Sequence, residues 1–459
     1  MRPVASNPSP AHDALDETTG LSGAGTVVVI GGGHAGMLAA WALRGHAREI
    51  VVVERDHYPA AADFRAGVPQ GRHAHLLLEA GHRALNDLMP GIRDDLLAAG
   101  AVRVSMSGDL RWLSSAGWMA EHTSDLEILS CTRPLLDDAV RRRVSGEPTV
   151  KIMEGATAVG LLGSPTLITG VRIRLRGNSD EVRLPAELVI DASGRTSALP
   201  AWLTELGASA PPEQRCDPGV AYSSRLFHRP AGVERDFTAL YLQTAPGAPR
   251  TGSLLPVEGD RWIVSLGGMR GAHPGKGEAG FTAMLEQLRD PILRNVLRAA
   301  RPASEVRGFI PGPGVRRHYE HRSTPDGLVV IGDASCTFNP VYGQGLTLGI
   351  LGAQALRAAA ARHGGIGPAT ARATRKRIAA VSKNAWLMST SEDARFPATD
   401  GGPSGALTRI QHRFLDRVLE SATSDPHVTA AFHRVMSLVA PPTSLLHPRV
   451  LVPVLLGKG

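Results

Sequence analysis

The stretch Thr26–Gly36, read together with Glu54, narrows the fold more than any other part of the chain. Thr26–Ile30 is TVVVI, a β-branched run suited to a buried parallel strand. Gly31-Gly32-Gly33-His34-Ala35-Gly36 follows at once, and Met37–Leu43 continues as a helix. Glu49–Val53 is a second apolar run that closes on Glu54, with Arg55 beside it. A strand, a G-x-G-x-x-G turn, a helix and an acid about 20 residues further on make the frame of a dinucleotide-binding unit. Each glycine has a separate task there. Gly31 permits the tight turn, Gly33 lets the backbone approach a pyrophosphate, and Gly36 lets the helix lie close on the strand. Glu54 would accept from ribose hydroxyls, and Arg55 is a further cofactor-binding candidate.

A second stretch has the same logic. Leu328–Ile331 is a short buried-strand run broken by Gly332-Asp333. A loop with Asn339, Pro340, Gly343 and Gly345 follows, and a small-residue helix opens at about Leu346. The Asp333 carboxylate can accept from sugar hydroxyls. The helix N-terminus offers free N–H groups and partial positive charge to an electron-rich ligand. Between the two stretches, Phe64–Leu78 (FRAGVPQGRHAHLLL) places Arg65 and Arg72 around a Gly/Pro turn, where either can pair diphosphate charge. An apolar helical run is expected from His73 onward. His73 and His75 lack a third ligand, so no metal site is expected. Arg133 opens the helix Pro134–Val144 and is a further candidate for the cofactor.

Composition bounds the rest. With 459 residues, 43% of them hydrophobic and 20% charged, the chain can bury a large core and reads as globular α/β with two intimately joined domains. The net charge of +7 is carried mostly by scattered Arg, and aromatics are only 4%, which argues against nucleic acid. Cys131, Cys216 and Cys336 form no CxxC pattern, which fits a reducing cytoplasm. Met1–Gly23 has no apolar core of a signal peptide and reads as a disordered leader. No apolar run is long enough for a transmembrane segment.

The remaining segments sort by texture. Leu110–Met119 reads as a hairpin with Trp112 and Trp118 available to line a cavity. Val150–Met153, Gly170–Leu175 and Glu187–Ile190 look like a β-meander closing on a parallel strand that ends in Asp191-Ala192-Ser193-Gly194-Arg195. From Glu205 to Arg307, the strand-like pieces Tyr222–Phe227, Ala239–Gln243 and Trp262–Leu266 suggest an antiparallel second domain. Helices are expected at Ala353–Arg362, Ala371–Met388, Leu407–Ser421 and Val428–Ala440. The Pro-rich tail Pro441–Gly459 has no assigned place: it packs on the protein or meets a membrane or hydrophobic partner.

Three motifs stand in fixed order: GGGHAG with Glu54, LVIDASGRTS, and GLVVIGDASCTFNPVYGQGL. This set resembles the group A FAD-dependent monooxygenases, the aromatic-hydroxylase class. FRAGVPQGRHAH, AYSSRLF and FNPVYGQGL look most like the flavin epoxidases of actinobacterial polyether biosynthesis and related tailoring hydroxylases. The resemblance implies a Rossmann-like FAD-binding domain, discontinuous over 24–105, 130–204 and 305–360. It implies a mixed antiparallel-sheet substrate domain over 106–129 and 205–304, and a C-terminal helical region over 361–459. It gives Gly31, Gly33, Gly36 and Glu54 to the ADP half of FAD, Arg65 and Arg133 to the diphosphate or ribityl chain, and Asp333 to a ribityl hydroxyl. Pro340 would lie beside the flavin ring, with Gly343, Gln344, Gly345 and Leu346 under its pyrimidine end. Pro340, Gly343 and Gly345 are therefore the catalytic-site expectation.

The implied reaction is insertion of one oxygen atom from O2, through a flavin C4a-hydroperoxide, into a hydrophobic natural-product intermediate. NAD(P)H or a separate flavin reductase would supply electrons. No side-chain base stands out, which favours alkene epoxidation over hydroxylation of an aromatic polyketide or terpenoid. One departure matters: Ser193-Gly194 stands where the family has Asp-Gly, an Asp associated with the FAD and NAD(P)H role. A flavin dehydrogenase or reductase without oxygen insertion, and a non-catalytic flavin-binding subunit, are the rival readings. Halogenation is disfavoured, because Asp260–Val264 (DRWIV) does not reproduce the Trp-rich motif and nearby Lys of the halogenase relatives.

Overall fold

A computed structural model describes residues 25–230 and 236–457. The expected leader, Met1–Gly23, lies outside the described residues.

The first strand does what its composition demands. Thr26–Ile30 sits at the centre of a five-stranded parallel sheet, between Leu188–Asp191 and Glu49–Glu54. Leu328–Val330 and Val150–Glu154 form the two edges. Both faces of this sheet are covered, which is why its strands read as continuous apolar runs rather than alternating ones. Val27, Val29, Ile50 and Val52 turn to one face, against the helices His34–Leu43, Arg133–Ser145 and Gly345–His363. Val28, Ile30, Val51 and Val53 turn to the other, against an antiparallel meander of Ala156–Gly163, Ile168–Leu175 and Glu181–Pro185.

Two sequence expectations are corrected here. Val150–Glu154 is not a meander strand but the parallel edge beside Glu49–Glu54. The meander's first strand is Ala156–Gly163, whose small residues and glycines hid its pattern. His73–Leu78 is likewise not helical. After a single 3-10 turn at Pro69–Arg72 the chain runs extended, and a helix starts only at Glu79.

The second sheet has seven strands. Ala221–His228, Arg261–Gly268, Arg250–Val257 and Ala239–Leu242 are successively antiparallel neighbours, and Leu110–Leu113 adds in parallel at one edge. Arg250–Val257 escaped the sequence reading because Gly252 and Pro256 interrupt it. The hairpin expected at Leu110–Met119 exists only as a bridge between Leu113 and Trp118, since the main pairing of that strand is to residues far along the chain.

One face of the sheet packs on the helices Gly277–Glu286 and Ile292–Leu297. The other meets the C-terminal helices Ala406–Ser421, Pro426–Met436 and Pro448–Leu456. The tail that the sequence left unplaced is seated there, with Leu445, Val450 and Val454 buried in the same cluster as Trp112 and Phe432. All three cysteines are free and buried. Among the described residues no helix is long and apolar enough to cross a membrane.

Candidate active site

The carboxyl ends of the parallel strands open into one cavity of about 1220 Å³. It runs from the Gly31–Ala35 turn, past the loop Pro340–Leu346, to a chamber between the second sheet and the C-terminal helices. Ligands of open α/β sheets bind at such strand ends.

The dinucleotide end is built by short-range geometry. Gly31 has φ +96°, and a Cβ there would lie 2.7 Å from the Ala192 carbonyl oxygen. A Cβ on Gly36 would sit 1.8 Å from the Gly31 carbonyl oxygen, so this glycine is required by helix–turn contact. Gly33 differs from both. Its φ of −76° suits any residue, and a Cβ would meet nothing within 4 Å. Glycine at 33 therefore makes room at the helix N-terminus, where an anion is favoured.

Glu54 is buried. Its Oε2 accepts from the Gly32 N–H at 2.8 Å and its Oε1 from the Asp56 N–H at 2.9 Å. Arg65 Nη1 stands 3.4 Å from Glu54 Oε2 and has no hydrogen-bond partner although it is buried. The Arg133 Nε donates to Asp137 at 2.7 Å, and His34 lies 3.5 Å from the same carboxylate. Burial pushes the His34 pKa down, so the first helical residue is neutral at neutral pH. Arg55 is exposed at the cavity's edge. Arg72 is outside the lining: its guanidinium stacks on Phe64, 4.4 Å from the ring centroid.

The loop end shows the same openness. Asp333 lines the cavity and accepts no hydrogen bond from any described residue. Burial raises its pKa, opposed by Arg195 and Arg133. Gln344 is only 1% exposed, yet neither its Oε1 nor its Nε2 has a partner. Leaving two buried amide atoms unpaired costs about 1–3 kcal/mol each, unless a ligand pairs them. A Cβ on Gly345 would have only Asp333 Oδ1 near it, at 4.0 Å. Gly343, at φ +67°, is the left-handed residue that ends the Pro340–Tyr342 turn, and Leu346 lies in the first turn of the helix that follows.

Residues far away in sequence hold this loop. Asn339 Oδ1 accepts from Tyr222 Oη at 2.7 Å and from the Val341 N–H at 3.2 Å. Asn339 Nδ2 donates to Asp393 Oδ1 at 2.8 Å, and Tyr342 Oη donates to the same oxygen at 3.0 Å. Burial lifts the Asp393 pKa to about 7, opposed by these two hydrogen bonds.

The remaining chamber is largely apolar, with walls that include Leu110, Trp112, Leu255, Phe432, Val435 and Leu445. Trp112 lines it and donates to Gln243 at 3.0 Å; Trp118 does not line it. His73 and His75 both reach the cavity wall. The His73 Nδ1 is 2.7 Å from Ser224 Oγ, and burial, aided by the Arg72 charge, lowers its pKa to about 4. Burial and then Arg133 take His75 to about 3. The Ser193 hydroxyl donates to Asp191 Oδ1 at 2.5 Å, so it is tied back to the strand end. Sequence reasoning missed Gln243, Asp393, Glu392 and Phe432. None lies in a recognisable motif: Gln243, Glu392 and Phe432 reach the cavity, and Asp393 the loop, only through the packing of distant elements.

The residues fit FAD on these grounds: the vacant approach at Gly33, the orphaned amide of Gln344, the unpaired Asp333, and a cavity that continues from one to the other. The comparisons agree on the fold. Residues 29–88 match the family model of an NAD(P)-binding Rossmann-like domain. The flavin-dependent brominase Bmp2 superposes with a TM-score of 0.64 at 16% identity, covering 90% of this chain and 92% of that one. A probable FAD-dependent monooxygenase of Pseudomonas aeruginosa, pqsL, does so with a TM-score of 0.59 at 19% identity, covering 81% and 97%. The chain thus has the fold of the FAD-dependent monooxygenases and flavin-dependent halogenases. Protein Rv3254 of Mycobacterium tuberculosis is 31% identical over 431 residues, 90% of this chain and 89% of the relative. The protein belongs to the family of Rv3254.

Proposed function

We propose that the protein is an FAD-dependent monooxygenase that inserts one oxygen atom from O2 into a hydrophobic natural-product intermediate. The observation that carries this reading is the continuity of the cavity. The same cavity touches Gly33 at the dinucleotide end, the Pro340–Gly345 loop in the middle, and Phe432 in the apolar chamber. A cofactor laid along the first two places its reactive end at the third.

FAD, once reduced, supplies the activation of O2. The chain's own residues bind, orient and exclude water. Gly33 and the helix N-terminus accept the pyrophosphate, while Glu54 and Asp333 hold sugar hydroxyls. The unpartnered amide of Gln344 and the N–H groups opening the helix at Gly345 face the pyrimidine end and favour negative charge there. Trp112, Leu255 and Phe432 keep the reacting centre dry, and oxygen transfer needs that because water diverts the activated oxygen.

Electrons would come from NAD(P)H or from a partner reductase. The place of the family's Asp is held by Ser193, whose hydroxyl is committed to Asp191. The halogenase reading is disfavoured: among the described residues no lysine lines the cavity. Alkene epoxidation is the first choice of reaction, since it needs no base. Aromatic hydroxylation is the second, and one observation favours it: Glu392, a half-buried carboxylate, stands on the chamber wall.

The test is to supply FAD-loaded protein with reductant, labelled O2 and candidate polyenes and phenols, and to weigh the products. A gain of one labelled oxygen atom is expected. Product changed by two hydrogens with no label would make the protein a dehydrogenase. Bound FAD that neither NAD(P)H nor a reductase reduces would make it a flavin-binding subunit.

A further inference from the structure

Glu392 and Asp393 are adjacent at the end of the helix Pro368–Asp393, but they serve different places. Asp393 faces the flavin loop through Asn339 and Tyr342. Glu392 lines the cavity. Its Oε1 accepts from the Arg395 Nε at 2.8 Å. The other two arms of that guanidinium are taken: Nη1 donates to Asp416 at 2.7 Å and Nη2 to the His412 carbonyl at 3.1 Å. Glu392 Oε2 accepts from no described residue.

Burial raises the Glu392 pKa, opposed by Arg395, although 21% of the side chain is accessible. Its charge acts on the phenols of Tyr342 and Tyr241, which line the same chamber. An unpartnered acceptor oxygen on the wall of a mainly apolar cavity is suited to fix one polar group of an otherwise greasy ligand.

We infer that Glu392 Oε2 is the anchor for a neutral hydroxyl on the substrate, alcoholic or phenolic, so that the substrate class is a hydrophobic molecule bearing an O–H donor near the end that enters beside Tyr342. A cationic group is disfavoured, because Arg395 already stands 2.8 Å from the carboxylate. This rests on the reading of the chamber as the substrate end.

The experiment is calorimetric titration of the FAD-loaded full chain with 4-octylphenol, octylbenzene and 4-octylbenzylamine. Wild type is expected to bind the phenol about ten-fold tighter than octylbenzene, the effect of one hydrogen bond to a charged acceptor. Glu392→Leu should erase that difference and leave octylbenzene affinity unchanged. Glu392→Gln, whose amide oxygen still accepts, should keep part of it. Equal wild-type affinities for phenol and octylbenzene would overturn the anchor, as would preference for the amine or an equal loss for both ligands in Glu392→Leu. Flavin absorbance and labelled-oxygen uptake report on the oxygenase reading separately. A Glu392-dependent hydroxyl preference in a protein that inserts no oxygen would sink that reading and leave the anchor standing.

Discussion

The dinucleotide cradle and the apolar chamber are two ends of one cavity, built in opposite ways. The cradle comes from three short, contiguous motifs, each a strand end followed by a turn. The chamber takes Trp112 from an edge strand, Tyr241 from its parallel neighbour, Glu392 from one helix and Phe432 from another. Backbone geometry dominates the first and side-chain packing the second. A backbone site tolerates almost no added atom, whereas a packed wall yields by degrees.

Substitutions at the glycines should break the cradle outright. Gly36→Val drives a side chain into the Gly31 carbonyl, and we expect loss of both FAD and the cooperative thermal transition. Gly33→Ala adds a Cβ that meets no protein atom, so its melting curve in the absence of FAD should be near wild type while FAD binding is lost or greatly weakened. Flavin absorbance after purification, with circular dichroism, separates the two. If both variants unfold alike, Gly33 is structural and the cofactor path is misplaced.

Asp333→Ala should weaken FAD binding by roughly 10–100-fold, the loss of one charge-assisted hydrogen bond of about 1.5–3 kcal/mol, read by fluorescence titration. Phe432→Ala probes the chamber instead. FAD content should hold, while KM for the substrate rises roughly ten-fold as one aromatic wall is lost. An Asp333→Ala enzyme with full FAD affinity, or a Phe432→Ala enzyme that loses flavin, would erase the distinction between the two ends.

The smallest expected effect is at the seam, where Asp393 holds the loop. Its folded pKa of about 7 lies above the ordinary carboxylate value, so the folded state binds the proton more tightly than the unfolded one. The stability this provides is complete below about pH 4 and is lost as pH rises towards 7. Asp393→Asn should flatten that part of the Tm–pH profile by a few degrees. An unchanged slope would mean that Asp393 is ionised in the fold.

The same contrast explains what could be read from the sequence. Gly31, Gly36, Glu54 and Asp333 are legible because a turn and its ligand groups lie within a few residues of one strand. The loop Asn339–Gly345 was legible for the same reason, but what holds it was not. Tyr222 lies 117 positions from Asn339 and Asp393 lies 54 positions from it; Tyr222 stands in AYSSRLF, but nothing in that stretch points to Asn339, and no local pattern marks Asp393. The C-terminal helices were visible as helices from their periodicity. Their role as a wall was not, because that depends on which face of the second sheet they cover.

In the proposed reading one cofactor spans from Gly33 to the Pro340–Leu346 loop, with its reactive end at the apolar chamber. A crystal structure of the protein with FAD tests it most directly. The account predicts pyrophosphate at the Gly33 N-terminus, a ribityl hydroxyl on Asp333, and the ring against Gly343–Leu346 with Gln344 paired to it. A flavin ring seated away from that loop, with Gln344 still unpaired, would contradict it.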